Sequence, residues 1–218
     1  IAASGLTLDL DDDNDGIIDE HDTAPLDSSI GDTEPVFGDL AIETIDARGL
    51  LTDISADINI VANDLADGEV TATIVGDTAI ASGVNTLQLS ATDSAGNTAL
   101  ADFTVHINPI AELGQSGKVE AGASYQVPVT LSGEAAVYPV TVNYQITDAV
   151  NGVVDGELVI AQGVTGVIEL DIASDALAGD MVNISLSDAS NATLNSNDTF
   201  ELTVFDMNLA PTLNLAVK

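Results

Sequence analysis

Apolar residues in this chain recur at every second position in short runs, and turn-forming residues close each run. The clearest case is Leu87, Leu89 and Ala91 followed by Phe103, Val105 and Ile107, with Thr92-Asp93-Ser94-Ala95-Gly96-Asn97 between them. Side chains on an extended strand alternate between faces, so a period of two sets each apolar trio on one side. The linking residues suit a turn, because Gly96 tolerates positive φ and the Asp93 carboxylate can accept bonds from amides ahead of it. Further alternating runs lie at 41–45, 58–62 and 70–75, with no helix-length period between them. Short strands at this spacing predict an all-β chain built from antiparallel sandwiches.

The pattern restarts after Pro109, with runs at 125–131, 140–146, 157–160, 167–172, 182–186 and 200–205 and glycines between them at 133, 152, 163 and 179. Period-two counting nominates as inward-facing Val127, Val129 and Leu131; Val140, Val142 and Tyr144; Ile184 and Leu186; and Phe200, Leu202 and Val204. The expected organisation is therefore a loop and polar linker over 1–34, a first sandwich over 35–109, a second over 110–206, and the opening of a following module over 207–218. Ile1, with no basic and apolar leader, is read as the start of a piece from a longer chain.

Ahead of the sandwiches stands a different pattern. Counting from Asp11, carboxylates occupy loop positions 1, 3, 5, 9 and 12 as Asp11, Asp13, Asp15, Asp19 and Asp22, with Gly16 at position 6 and Ile18 at position 8. Alternate residues of a tightly wound loop point inward, glycine permits the sharp turn, and Ile17 has a backbone carbonyl to offer, so the spacing suits an all-oxygen cage. Calcium is the expected occupant. Without a cation the carboxylates repel one another, each close pair by on the order of 1 kcal/mol even in water. A plain solvated acidic turn is the alternative, but it would not need glycine and an apolar β-branched residue at those positions. Pro25 and Gly31 leave no room for an exit helix, which separates the loop from a helical EF-hand. Asp9 and Asp27 extend the acidic run.

Taken together, Asp11, Asp13, Asp15, Gly16, Asp19, Asp22 and Pro25 resemble the thrombospondin type 3 repeat, D-x-D-x-D-G-x-x-D-x-x-D-x-x-P, without the cysteine near the proline that the animal form carries. Gly83, Ala91, Asp93, Ala95, Gly96, Asn97 and Ala99 resemble the end of the hyalin repeat, which implies an immunoglobulin-like sandwich with no catalytic residues. Val142, Tyr144, Gly156, Leu158, Gly163, Phe200 and Asp206 resemble the Calx-β module, a calcium-associated sandwich. Where that module has a dense acidic cluster, this chain has only Asp175 and Asp180 over 173–180, too few oxygens for a calcium ion unaided. Residues 204–213 resemble the junction of bacterial cadherin-like repeats, with Asp206 and Asn208 in place and Leu209 standing where the second aspartate belongs.

Charge and composition restrict what such a chain can do. Against 36 acidic residues stand 3 basic ones, Arg48, Lys118 and Lys218, for a formal charge of -33. Nucleic acid and anionic membrane surfaces share that sign and are excluded as partners, and no apolar run approaches the roughly 18 residues that span a bilayer. Cysteine is absent, which removes disulfides and thiol chemistry. His21 and His106 have no catalytic motif around them, there is no tryptophan for sugar stacking, and the chain is not expected to be an enzyme. Sequons at Asn183, Asn191 and Asn197 are common in Thr- and Ser-rich sandwiches and carry no argument.

The expected function is a calcium-stiffened structural or adhesive repeat segment, monomeric in isolation, of a large secreted or surface-anchored bacterial protein such as an adhesin or biofilm-matrix component. Its partners would be neighbouring modules of the same chain and a cell-surface glycan or protein. The rival expectation is an accessory module of a secreted hydrolase that grips polysaccharide or protein through its loops. Homophilic, calcium-dependent adhesion is a third.

Overall fold

A computed structural model describes residues 10–20, 22, 24–28, 33–195 and 199–205. Ile1, Asp9, His21, Gly31, Asn197, Asp206, Asn208, Leu209, Lys218 and the module opening over 207–218, named above, lie outside the described residues. The described residues form strands and turns and contain no helix, so the all-β expectation holds. By its internal contacts the chain divides into two compact units. One takes Asp53–Ile80 and Asn85–Val105 with the segment up to Glu43; the other takes Thr44–Thr52, Ala81–Val84 and the chain from His106.

The first nine strands are β1 (Val36–Phe37), β2 (Glu43–Asp46), β3 (Thr52–Asp53), β4 (Val61–Asp64), β5 (Gly68–Thr71), β6 (Thr73–Val75), β7 (Ala79–Ile80), β8 (Gly83–Thr92) and β9 (Thr98–Asn108). They make sheets of order β1-β4-β5 and β2-β9-β8-β6 and a β3-β7 pair. On β8 and β9 the predicted alternation is borne out: Leu89, Ala91, Phe103, Val105 and Ile107 are buried and Leu87 half-buried. The run at 70–75 divides at Ala72, with β5 pairing β4 in one sheet and β6 pairing β8 in another. Alternation reports which face a side chain takes and carries no information on which sheet its backbone joins, so the division is silent in the sequence.

One device recurs at the turns. The Asp93 Oδ1 accepts the amides of Gly96 and Asn97, both at 2.7 Å, and the Asp64 Oδ1 accepts those of Ala66 and Asp67, both at 2.8 Å. Further along, the Asp148 Oδ1 accepts Val150 and Asn151 at 2.7 and 2.6 Å. Glycine in the left-handed region ends each turn, with φ of 75° at Gly68, 98° at Gly96 and 74° at Gly152. Burial alone would raise the Asp93 pKa, but amide bonds from Asn97, Gly96 and Ala95 and the Asn97 side chain outweigh it and hold the carboxyl below its usual value. Asp148 is lowered too: burial opposes, and Asn151 and the Val150 amide prevail.

The second unit carries β10 (Ile110–Leu113), β11 (Gly117–Glu120), β12 (Ser124–Leu131), β13 (Val140–Asp148), β14 (Gly152–Ile160), β15 (Thr165–Asp171), β16 (Met181–Ser190), β17 (Thr193–Leu194) and β18 (Thr199–Phe205). They form sheets of order β15-β12-β10-β17 and β11-β18-β16-β13-β14. Val127, Val129, Ile168 and Leu170 from one sheet meet Val140, Val142, Ile184, Phe200 and Leu202 from the other in a single buried core. Tyr144 and Leu186, predicted to face inward, are half-buried at its margin.

Two pairings depart from the antiparallel expectation. The opening strand changes sheet at 114–116, so β10 runs parallel to β17 and β11 runs parallel to β18. Gly114 makes the crossing possible: a Cβ there would stand 2.6 Å from Cγ of Pro128, whose carbonyl accepts the Gly114 amide at 2.8 Å.

Gly156 on β14 lies opposite Tyr144 on β13, and a Cβ at that position would clash with Cζ, Cε2 and the hydroxyl of the tyrosine. The ring therefore covers the glycine backbone. Gly156→Ala is expected to lower stability by about 1–3 kcal/mol, read as a lower urea midpoint with an unchanged m-value, and Tyr144→Ala in the same background should remove most of that added cost. The lowered carboxyl values give a second expectation. Their contribution is complete above the unfolded aspartate value near 3.8 and is lost as pH falls through the lower folded value. Asp148→Asn should therefore narrow the difference in urea midpoint between about pH 6 and about pH 3.

Candidate metal centre

The loop at 10–24 is wound by its own carboxylates. The Asp15 amide donates to Oδ1 of Asp11 and to Oδ1 of Asp13, each at 3.2 Å, and the Gly16 amide donates to Oδ2 of Asp11 at 3.1 Å. Ile17 N–H reaches Oδ1 of Asp15 at 2.8 Å. Asp12 N–H reaches Oδ1 of Asp19 at 2.9 Å, while the Asp19 amide bonds the Leu10 carbonyl at 2.8 Å and closes the coil. Asn14 and Gly16 supply the left-handed positions, at φ of 59° and 97°.

This winding gathers Asp11, Asp13 and Asp15, each with a carboxylate oxygen within 4.8 Å of the others'. Asp19 and Asp22 are not in that trio. Asp19 is spent partly on bracing Asp12, and Asp22 accepts the Ala24 amide at 2.7 Å through Oδ1. Asp22 is still near enough for its charge to act on Asp13. The Oδ2 atoms of Asp13, Asp15 and Asp22 are enclosed and accept no hydrogen bond.

An enclosed carboxylate oxygen without a donor is costly, and three in one short loop leave a concentrated negative deficit. Asp13 registers it. Enclosure does most to raise its pKa above the usual value; the Asp15 amide opposes this, and the charges of Asp15, Asp22 and Asp11 push it further up. Oxygen donors, anionic and lacking protons of their own, suit a hard cation.

Position 8 was the apolar place in the sequence register, yet Ile18 is 42% exposed and it is Ile17 that is buried, at 3%. Ile17 thus acts on the loop through its side chain, in addition to the carbonyl that the spacing nominated. Beside it, a Cβ on Gly16 would meet Cβ of Ala66 at 3.5 Å, which seats the loop against the turn capped by Asp64. Asp64 itself was not singled out from the sequence. Its signal is Asp64-Leu65-Ala66-Asp67-Gly68, the same D-x-x-[DN]-G order as Asp148 to Gly152. Asp67 then accepts both the amide and the hydroxyl of Ser94, at 2.6 and 2.8 Å, joining the two turns.

Elsewhere the sequence candidates are quieter. Oδ2 of Asp180 accepts the Leu177 amide at 2.8 Å, and neither Asp175 nor Asp180 belongs to a metal-capable group among the described residues. His106 is half-buried on β9. No protein-family model matches the chain, and no curated protein matches it.

Asp13→Asn removes one charge from a crowded set. The metal-free variant is expected to melt at or slightly above the parent temperature, while the stabilisation that an added divalent cation confers on the parent is lost. Thermal unfolding by circular dichroism, with and without the cation, reads both outcomes. A merely solvated turn would show the same cation effect in both proteins, that of general charge screening.

Proposed function

We propose that the loop at 11–22 binds calcium and that this binding stiffens a structural or adhesive repeat segment of a large extracellular bacterial protein. The observation that carries the reading is the set of three enclosed, donor-less carboxylate oxygens on Asp13, Asp15 and Asp22 beside the Asp11–Asp13–Asp15 trio. Asp11, Asp13, Asp15, Asp19 and Asp22 with the Ile17 carbonyl are the proposed ligands, and the thrombospondin type 3-like spacing supports calcium over smaller cations. Calcium takes six to eight oxygens in flexible geometry, which a loop of carboxylates can supply with solvent. Asp19 and Asp22 would then turn their remaining oxygens inward as the ion neutralises the repulsion.

Stiffening follows from the attachment of this loop. Gly16 lies close to Ala66 and Ile17 is buried, so an ion that fixes the coil also fixes its seat on the rest of the first compact unit. The formal charge of -33 supports a saline, calcium-containing exterior, where screening and bound divalents limit self-repulsion. Modules without disulfides need another source of rigidity, and a metal clip is the kind this chain is equipped to use.

Calorimetric titration of the metal-stripped chain should give a saturable heat with calcium. At a free concentration about 100-fold above Kd, the stability gain of whatever unfolds with the loop should approach about 2.7 kcal/mol. Small-angle scattering should report a stiffer particle with calcium than with chelator. Identical profiles would remove the mechanical role, and absence of both heat and stabilisation at millimolar calcium would remove the site.

A further inference from the structure

Strand β14 ends the five-stranded sheet of the second unit and is hydrogen-bonded on one side only, to β13. Its register with β13 runs without a bulge from Val140–Ile160 to Asp148–Gly152. Among the described residues no backbone bond from outside that ladder reaches 152–160. An exposed edge strand is ordinarily guarded by a lysine, a proline or a bulge, any of which discourages pairing with another chain. In Gly-Val-Val-Asp-Gly-Glu-Leu-Val-Ile there is neither lysine nor proline. The edges at β11 and β17 are only four and two residues long, and β11 carries Lys118.

Gly156 lies against Tyr144, Leu158 packs on the core and Ile160 is buried, so the odd-numbered residues of β14 face outward. In order they are Val153, Asp155, Glu157 and Val159, all exposed, the valines at 59% and 51%. Opposite them on β13 stand Thr147, Gln145, Asn143 and Thr141. Oδ1 of Asp155 accepts Nε2 of Gln145 at 3.0 Å, a neutral partner. On the side already paired, the valines therefore meet no aliphatic residue and the carboxylates no cation. Whatever this row can still gain comes from its open side. The outward row of β15, the other long edge, runs Thr165, Val167, Glu169, Asp171 and has an apolar residue at neither end.

A strand laid along this edge sets alternate side chains about 4.5–5.5 Å from the row. The complement of apolar, acidic, acidic, apolar is apolar, basic, basic, apolar at every second residue, and it reads the same in either strand direction. A second copy of the chain does not supply it. Paired antiparallel about Gly156, Asp155 would face Glu157 of the copy, and each chain carries a formal charge of -33. We propose that the open edge of β14 takes up, by strand addition, an extended segment of another protein. In that segment two lysines or arginines, two residues apart, are flanked at the same spacing by β-branched apolar residues. Backbone bonds to the free edge supply the affinity, and Asp155 and Glu157 select the sequence. The site is independent of the calcium loop.

Amide chemical shifts of the full chain, labelled with nitrogen-15, test this with the capped peptide Thr-Val-Thr-Lys-Thr-Lys-Thr-Val-Thr as probe, at about 0.15 M salt. Saturable shifts confined to 141–148 and 152–160 are expected. The same peptide with glutamate for lysine should bind at least about tenfold more weakly. Two further versions keep the charge and block backbone donors by N-methylation, one at the threonines and one at the valines and lysines. One of the two, whichever set of amides faces the edge, should lose binding by a similar factor. Asp155→Asn with Glu157→Gln, both exposed positions, should weaken the parent peptide severalfold while shifts elsewhere in the chain stay unchanged. No saturable shift at millimolar peptide, full binding by both N-methylated versions, or full binding by the double variant would each overturn the proposal. Concentration-dependent shifts at 152–160 without peptide would assign the edge to a second copy and overturn the choice of partner.

Discussion

With 36 acidic residues and 3 basic ones, most carboxylates in this protein must find partners other than cations, in backbone amides and neutral side chains. That single constraint organises much of what is irregular in the structure. Asp64, Asp93 and Asp148 each fold a turn around one oxygen by collecting amides, and the loop at 10–24 does so several times in succession. Acidic residues here are turn builders, and their charge is a by-product that the surrounding salt must manage. In the sandwich turns the account nearly balances, although Asp64 and Asp93 each keep one enclosed oxygen without a donor. In the loop such oxygens accumulate, on Asp13, Asp15 and Asp22, beside the Asp11–Asp13–Asp15 trio.

The sandwiches answer to a separate principle, and the two meet only at turns. Apolar burial from alternate strand positions builds the core of the second unit, from Val127 and Ile168 on one sheet to Phe200 and Leu202 on the other. Polar and acidic residues take the opposite strand faces, so the high charge costs the core nothing directly. A chain with this much negative charge would otherwise be read as disordered; its regular alternation is what allows a packed interior to form.

Period-two alternation made the strands and most of the inward faces legible, because burial on one face leaves a direct trace in residue type. Sheet membership left none: the division at Ala72 and the crossing at Gly114 depend on which backbone pairs with which, and neither interrupts the apolar rhythm. In the loop, the carboxylates at positions 1, 3 and 5 were readable from spacing, and they do come together. The roles of Ile17 and Ile18 were not, since two adjacent isoleucines look alike until the fold decides which one is covered.

The parallel pairing of β11 with β18 bears on tension. Gly117–Glu120 lies alongside Leu202–Phe205 in the same direction, so the chain enters at one end of this ladder and leaves at the other. A pull on the two ends would slide the strands lengthwise, loading every hydrogen bond of the ladder together, whereas an antiparallel terminal pair would open like a zip, one bond at a time. The geometry of this ladder, four residue pairs long, is that of shear, and it is set by strand direction and not by the size of the core.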